Sequence, residues 1–532
     1  MDIPLVLSGT FGELRSNHFH SGLDIKTQQR TGIKVYSTAP GYVSRIKIQR
    51  FGYGKAVYVT HPSGHTSVYA HLSKLGPGLE EYIKKKQYDA EQYEIEVFPT
   101  ASELPVERGQ HIAYSGNSGG SGGPHLHFEI RDGAARPLNP MDLGIDIKDT
   151  RPPLVKSFWA YPITDDARVN GKSTPQQIKI TKGQDGTWRA ANVRVYGRVG
   201  FGVNTSDRQD AANNQNGVYQ IKTELNGTTQ FQMDLKRYAF NETRYLNDQI
   251  DYKYFKENRS RITKLFRGPN NPLSIITEEV NSGYVDVFDE NEKVYCVTIR
   301  DYAGNESVIM MNIELGELPK LIDTPQAGDM TLASPSNATE WEDGQWKVYI
   351  PSGALYEPAY LDIQNNNGNL HFHKDVVPLH KNATISFQLP QGAGNDDKMY
   401  IARKSWNNHY YVGNRMKGDR LSASTRTLGT YTIRRDSIAP TVRPKGWKDG
   451  AWMSSKKKLQ FAIADADTGI DAYRVKINDK WALFEYDYKT GLITYDFDDG
   501  LTDNGANTVK VIVTDKVGNS STFSATINRK QT

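Results

Sequence analysis

His125-Leu-His127-Phe-Glu-Ile is the stretch from which this chain is best read. Apolar Leu126, Phe128 and Ile130 alternate with His125, His127 and Glu129, the period of two of a strand whose successive side chains point to opposite faces. Both imidazoles therefore share one face, close enough to serve one metal site, one binding the ion while the other reaches the water beside it. Two upstream segments carry the same residue types, His20-Ser-Gly-Leu-Asp24 and Tyr69-Ala-His71-Leu-Ser. Gly22 disfavours a helix, which puts His20 and Asp24 on a loop running into a strand. His71 belongs to the alternating strand Thr66-Ser-Val-Tyr-Ala-His. Eight of the twelve histidines fall within the first 127 residues and none lies between 128 and 370, so any chemistry is concentrated at the N-terminus.

A hydrolytic zinc site takes three ligands from His, Asp or Glu and leaves a fourth position open. His20 and Asp24 offer two. Such a metal brings the pKa of water towards about 7 and polarises a carbonyl. A general base and an oxyanion stabiliser are then required, and His71 and His125 are available for these tasks. Cys296 is the only cysteine, which excludes an internal disulfide framework and any site built on two or more thiolates.

Working outward, the chain has 532 residues, enough for three or four domains. Lys plus Arg number 65 against 61 Asp plus Glu, a net charge of +4, which argues against a nucleic-acid partner. No apolar run approaches the roughly 18 residues of a membrane-spanning segment. Aromatics at 11% and 30 tyrosines, spread over short alternating stretches bounded by Gly, Asn, Asp and Pro, predict a mainly β protein. One helix is expected over Leu79 to Gln87, after Gly76-Pro77-Gly78.

A weak repeat follows the histidine-rich part. Asp149-Thr-Arg-Pro-Pro is answered by Asp301-Tyr-Ala-Gly-Asn, and Asp436-Ser-Ile-Ala-Pro by Asp515-Lys-Val-Gly-Asn, each pair bracketing an immunoglobulin-like sandwich. The first of these carries insertions, including the aromatic-rich segment 238–264. Between them, after a polar linker at 323–339, the stretch 341–431 has a strand pattern of its own. The expected division is 1–148, 149–320, 321–435 and 436–532, a small antiparallel β domain followed by three β-sandwich domains.

Read together and in order, the N-terminal motifs resemble the LytM/lysostaphin-type zinc endopeptidases that cut peptide stems or bridges of bacterial peptidoglycan. The similarity covers residues 8 to 143. It includes Gly-Tyr-Gly-Lys-Ala-Val-Tyr-Val at 52–59, Gly-Gln-His-Ile-Ala-Tyr-Ser-Gly-Asn-Ser-Gly at 109–119 and Gly-Pro-His-Leu-His-Phe-Glu at 123–129. The resemblance implies that His20, Asp24 and His127 bind zinc and that His71 and His125 form the catalytic pair. It implies a D,D-endopeptidase acting on peptidoglycan peptide stems, with the C-terminal domains positioning it or binding envelope glycans or proteins. Two other functions compete, a non-hydrolytic activator of another wall hydrolase and an envelope adhesion protein. The start, Met1-Asp-Ile-Pro-Leu-Val-Leu-Ser-Gly, lacks a secretory signal. The expectation is that the signal has been removed and that the protein works in the periplasm, at the outer membrane or outside the cell.

Several features have blander readings. His61-Pro-Ser-Gly-His65 reads as a hairpin turn, and His371-Phe-His373 as a strand-surface pair. His18, two residues before His20, is at most a groove residue. Residues 116–123 lack the Lys-Ser/Thr of a phosphate loop and suit backbone lying close to a peptide substrate. Lys84-Lys-Lys86 reads as a solvated helix face. Trp406, Trp447, Trp452 and the tyrosines of 238–255 read as core packing. Residues 76–108 depart from the compact family pattern and stand where they could wall or cover the groove.

Overall fold

The computed structural model describes residues 1–210, 212–319, 328–390 and 396–530. Part of the expected polar linker, 323–327, and the expected boundary at 320/321 lie outside the described residues. The described chain is nearly all sheet, in keeping with its alternating sequence.

The N-terminal unit contains β1 (Leu7–Gly9), β2 (Leu23–Lys26), β3 (Lys34–Tyr36), β4 (Gly41–Ile48), β5 (Lys55–Thr60), β6 (Thr66–Leu72) and β7 (Lys74–Leu75). It continues with α1 (Leu79–Ala90), β8 (Ile95–Val97), β9 (Pro105–Val106), β10 (His111–Tyr114), β11 (His125–Arg131) and β12 (Pro137–Leu138). The main sheet runs β1-β2-β11-β6-β5-β4-β8, and β3-β10-β7 forms a small second sheet. The histidine-bearing β11 is thus an inner strand, held antiparallel by β2 on one side and β6 on the other. Its register sets His127 opposite Asp24 of β2 and Ala70 of β6.

One face of this sheet sends Leu126, Phe128, Tyr69 and Leu72 into the apolar core. The other carries Asp24, His127 and Glu129 beside the small cluster Ala56, Tyr58, Val68 and Ala70. Helix α1 runs three residues beyond the expected end and buries Leu79, Ile83 and Gln87, so Tyr82 and Lys86 flank its packed face. In residues 76–108, β8 and β9 extend the sheet edge at β4; none of this segment lines the cleft described below.

Behind this unit, residues 154–315 form a 13-stranded sheet system threaded by the long strand Val193–Ser206. Its apolar core is continuous with that of the N-terminal unit. Tyr238 is the link, packing on Phe11 and Phe19 at 5.3 and 5.4 Å and donating its hydroxyl to the Phe19 carbonyl at 2.9 Å. Residues 331–435 form two five-stranded sheets and a two-stranded one around a core of their own. Residues 441–529 pair a four-stranded with a five-stranded sheet around a third core.

The last unit folds back onto the first. Asp499 takes the Lys84 ammonium at 2.5 Å and the Tyr88 hydroxyl at 2.8 Å, and Glu485 takes Lys55 at 2.6 Å. Lys84 is therefore drawn into an interface rather than solvated. Of the tryptophans expected in the core, Trp447 is buried, whereas Trp406 and Trp452 are 93% and 66% exposed.

Candidate metal centre

His20 Nε2, His127 Nδ1 and one oxygen of Asp24 meet in a tight triangle. The distances are 2.9 Å from each nitrogen to Asp24 Oδ1 and 3.0 Å between the nitrogens. What sets this arrangement is the bonding on the far side of each ring. His20 Nδ1–H donates to the Thr10 carbonyl at 2.7 Å, and His127 Nε2–H donates to Glu129 Oε1 at 2.8 Å. Each ring nitrogen that faces the centre is therefore the one that offers its lone pair to a cation, or carries a proton toward Asp24 where no cation stands. Two imidazole lone pairs and a carboxylate oxygen at such distances need a cation or a proton between them, and the two-nitrogen, one-oxygen set fits zinc.

Local backbone explains the convergence. Gly22 lies so close to β11 that a Cβ there would meet the Phe128 carbonyl oxygen at 2.1 Å, so only glycine lets the His20–Asp24 loop lie against that strand. His71 is in the left-handed region, φ 58°. Alternation along β6 would send its ring to the core with Tyr69; the positive φ breaks the alternation and turns it into the site, at about 1–3 kcal/mol of backbone strain. Its Nδ1–H donates to the Ser118 carbonyl at 2.8 Å. Its ring lies 4.8 Å from His125 and 5.8 Å from His127. His125 Nδ1 faces the Gly123 carbonyl at 2.9 Å, and its Nε2 faces Asp24 Oδ1 at 3.3 Å.

The electrostatics follow from burial and pairing. Burial pushes the His71 imidazole down to about 3, helped by the neighbouring His127 and His125. For His127 burial acts downward too, but hydrogen bonds to Asp24 and Glu129 override it and raise it to about 9. Burial would raise Asp24, yet His20 and hydrogen bonds from the three surrounding histidines hold it well below the usual carboxylate range. Glu129 is likewise held well down against burial by His127 and Arg131. Beneath the centre, Glu129 also accepts from Ser21 at 2.6 Å, from Tyr53 and from Arg131 Nε at 2.7 Å. Asp24 Oδ2 accepts from Arg15 at 2.8 Å.

The centre lies in an open cleft of about 970 Å³. Arg15, Arg45, Lys47, Arg131 and Arg261 line it, and Phe240 and Thr243 enter from the insertion in the following unit. One rim is the loop 116–123, where Gly119 (φ 69°) lies against the backbone of Gly52 and Gly54. The C-terminal unit pins this loop: Lys489 donates to the carbonyls of Asn117 and Ser121, and the Tyr488 hydroxyl donates to that of Gly119 at 3.3 Å.

All five residues singled out from sequence are thus brought together. His18 lines the cleft outside the triangle. His61 bonds Pro40 and Ser67, and His371 lies 3.4 Å from Asp362; neither is near the centre. Sequence reasoning gave no role to Glu129, although its place two residues after His127 on the same strand face was a usable signal. Phe240, Arg261, Tyr488 and Lys489 carried no local signal.

A triangle of two imidazoles and a carboxylate that could hold a metal ion, set on an antiparallel sheet, open to a cleft and flanked by two further imidazoles, is the kind of centre a metallohydrolase uses. Residues 18–91 and 96–140 match Peptidase family M23, and the N-terminal unit is an M23 domain of the LytM type. Residues 331–436 match the Zu5-like domain. The chain is 33% identical over 122 residues to an uncharacterized metalloprotease of Haemophilus influenzae, covering 23% of this chain and 20% of that protein. It is 30% identical over 132 residues to the DD-carboxypeptidase/endopeptidase Mpg of Neisseria meningitidis serogroup B, covering 25% and 24%. The catalytic domain of the prophage-encoded M23 protein EnpA from Enterococcus faecalis is similar at 23% identity and a TM-score of 0.21, covering 27% of this chain and 95% of that one. The chain thus spans about a fifth to a quarter of the length of these curated relatives.

Proposed function

We propose that this chain is a zinc-dependent endopeptidase that hydrolyses peptide cross-links of bacterial peptidoglycan, of the D,D type, in the cell envelope. The observation that carries the reading is the pair of ring lone pairs that Thr10 and Glu129 aim at Asp24. His20, Asp24 and His127 would hold the metal. When bound, zinc supplies Lewis-acid polarisation of the scissile carbonyl and activation of water.

The chain's own residues do the rest. His71, neutral and anchored through Nδ1, offers Nε2 as a proton acceptor. His125, anchored through Nδ1 on the Gly123 carbonyl, turns Nε2 toward the centre, where, once it has taken up a proton, it can donate to a developing oxyanion or to the leaving amine. Of the five cationic side chains of the cleft, Arg15, Arg45, Lys47 and Arg131 pair with carboxylates of the chain, and Arg261, whose Nε has no partner, is the one that favours stems bearing free carboxylates over a neutral glycine bridge. The relatives named for DD-carboxypeptidase/endopeptidase activity support the same bond class. Among the described residues no helix is long and apolar enough to cross a membrane. The units behind the catalytic one complete and orient the cleft, through Phe240 and Arg261 on one side and the pinned loop on the other.

The test is to offer the full-length protein two defined substrates, a cross-linked muropeptide dimer and a glycine-bridged peptide. Release of monomers from the dimer alone, read by mass spectrometry, supports the proposal. Cleavage of the glycine bridge alone would overturn the D,D assignment, and cleavage of neither would overturn the enzyme reading.

A further inference from the structure

The repeat noted in sequence builds the same corner twice. In one unit Asn305 Nδ2 donates to the Asp149 carbonyl and to Asp301 Oδ2, at 3.2 and 2.8 Å. In the last unit Asn519 Nδ2 donates to the Asp436 carbonyl and to Asp515 Oδ2, at 3.0 and 2.7 Å. Each corner gathers a third carboxylate, giving Asp149, Asp207 and Asp301 in one and Asp436, Asp465 and Asp515 in the other, with the three oxygens of each set within 4.8 Å of one another.

The two corners differ in how those oxygens are satisfied. Asp465 Oδ1 accepts the amides of Asp467, Thr468 and Gly469, and Asp436 Oδ2 accepts the Thr468 hydroxyl. Asp515 is capped by Val517 and Asn519. In the first corner Asp207 is 3% exposed, and its buried Oδ1 has no hydrogen-bond partner. Gln209, 6% exposed, leaves its side-chain oxygen equally unpartnered. Asp149, Asp207 and Gln209 line a cavity of about 20 Å³, room for one ion or one water. A buried carboxylate oxygen without a donor costs several kilocalories unless a cation meets it. Arg151 is the cation nearby, and it lies 3.7 Å from Asp210, one positive charge against several carboxylates.

We propose that Asp149, Asp207 and Asp301, with the side-chain oxygen of Gln209, hold a hard divalent cation of the calcium class. The donor set contains oxygen alone, without imidazole or thiolate, which selects calcium over zinc. The site is distinct from the metal centre and independent of the proposed enzymatic activity. It also sits at a joint: the cavity is closed by Thr10, Asn139 and Met141 of the catalytic unit. Thr10 accepts from the Gly217 amide through its hydroxyl at 3.1 Å and from His20 through its carbonyl at 2.7 Å. The cation would therefore fasten the two units next to the residue that orients His20. Burial, with the charges of Asp149 and Asp301, pushes Asp207 up to about 7, as expected for carboxylates awaiting a counter-ion.

The experiment uses the full chain, stripped with chelator, reloaded with one equivalent of zinc and titrated with calcium chloride while heat of binding and thermal midpoint are followed. One calcium per chain and a rise in midpoint of at least about 2 °C at millimolar calcium are expected. Asp207→Asn should abolish both while raising the midpoint of the calcium-free chain, because it removes buried repulsion; Asp465→Asn should leave calcium binding intact. Gln209→Ala should weaken binding about tenfold. Absence of binding to the zinc-loaded chain, or binding that survives Asp207→Asn, would overturn the proposal and leave a shared proton as what neutralises the corner.

Discussion

The floor of the cleft and its walls are made from different parts of the chain. On the floor, His20, Asp24 and His127 are oriented by Thr10, Arg15 and Glu129, all within the N-terminal unit. The walls come from far along the sequence: Phe240 and Arg261 lie in an insertion of the next unit, and Tyr488 and Lys489 reach the 116–123 loop from the last one. On the proposed function, metal chemistry and substrate access should therefore be separable in this molecule. A change on the floor should alter metal binding and rate together, and a change in a wall should alter substrate handling with the metal left in place.

The sharpest break in that comparison is His127→Ala, which removes one of the three proposed ligands; zinc binding and hydrolysis should both be lost, by more than the roughly 10–100-fold that a change in an orienting partner costs. Glu129→Gln comes next. It loosens the orientation of His127 and strands the buried Arg131, so zinc affinity should fall about 10–100-fold and stability by about 3–5 kcal/mol, measured by metal titration and denaturant unfolding. His71→Ala should lower kcat about 10²–10⁴-fold at unchanged zinc content, which separates a proton-handling residue from a ligand. Arg261→Ala, in a wall, should raise KM several-fold on carboxylate-bearing substrates and leave kcat and zinc affinity near their starting values. The smallest effect is expected of Lys489→Ala, a change of a few-fold in the digestion rate of intact sacculi with little change on small soluble peptides.

The same division governs what could be read from sequence. The five residues of the centre were legible because strand alternation and the short His20 to Asp24 spacing are local, and β11 needs only its neighbours β2 and β6 to bring them together. The reach of His71 into the site was less so, since strict alternation along Thr66–Leu72 would bury its ring and only the left-handed backbone redirects it. The repeat of Asp149/Asp301 with Asp436/Asp515 was visible as a pattern, but its third carboxylates, Asp207 and Asp465, lie in loops without a motif. Lys84 looked solvated because its partner, Asp499, is more than 400 positions away. Trp406 and Trp452 looked like core residues because composition cannot say which side of a strand or turn faces solvent.

Everything proposed for the cleft depends on whether the triangle of His20, Asp24 and His127 holds the zinc that hydrolysis needs. The deciding experiment digests isolated sacculi with full-length protein that has been stripped of metal and reloaded with zinc, beside His127→Ala treated in the same way, and identifies the released fragments by mass spectrometry. Cross-linked dimers should become monomers only with the zinc-restored parent chain. Equal release by the stripped protein or by His127→Ala would rule out a zinc held by this triangle as the source of the activity.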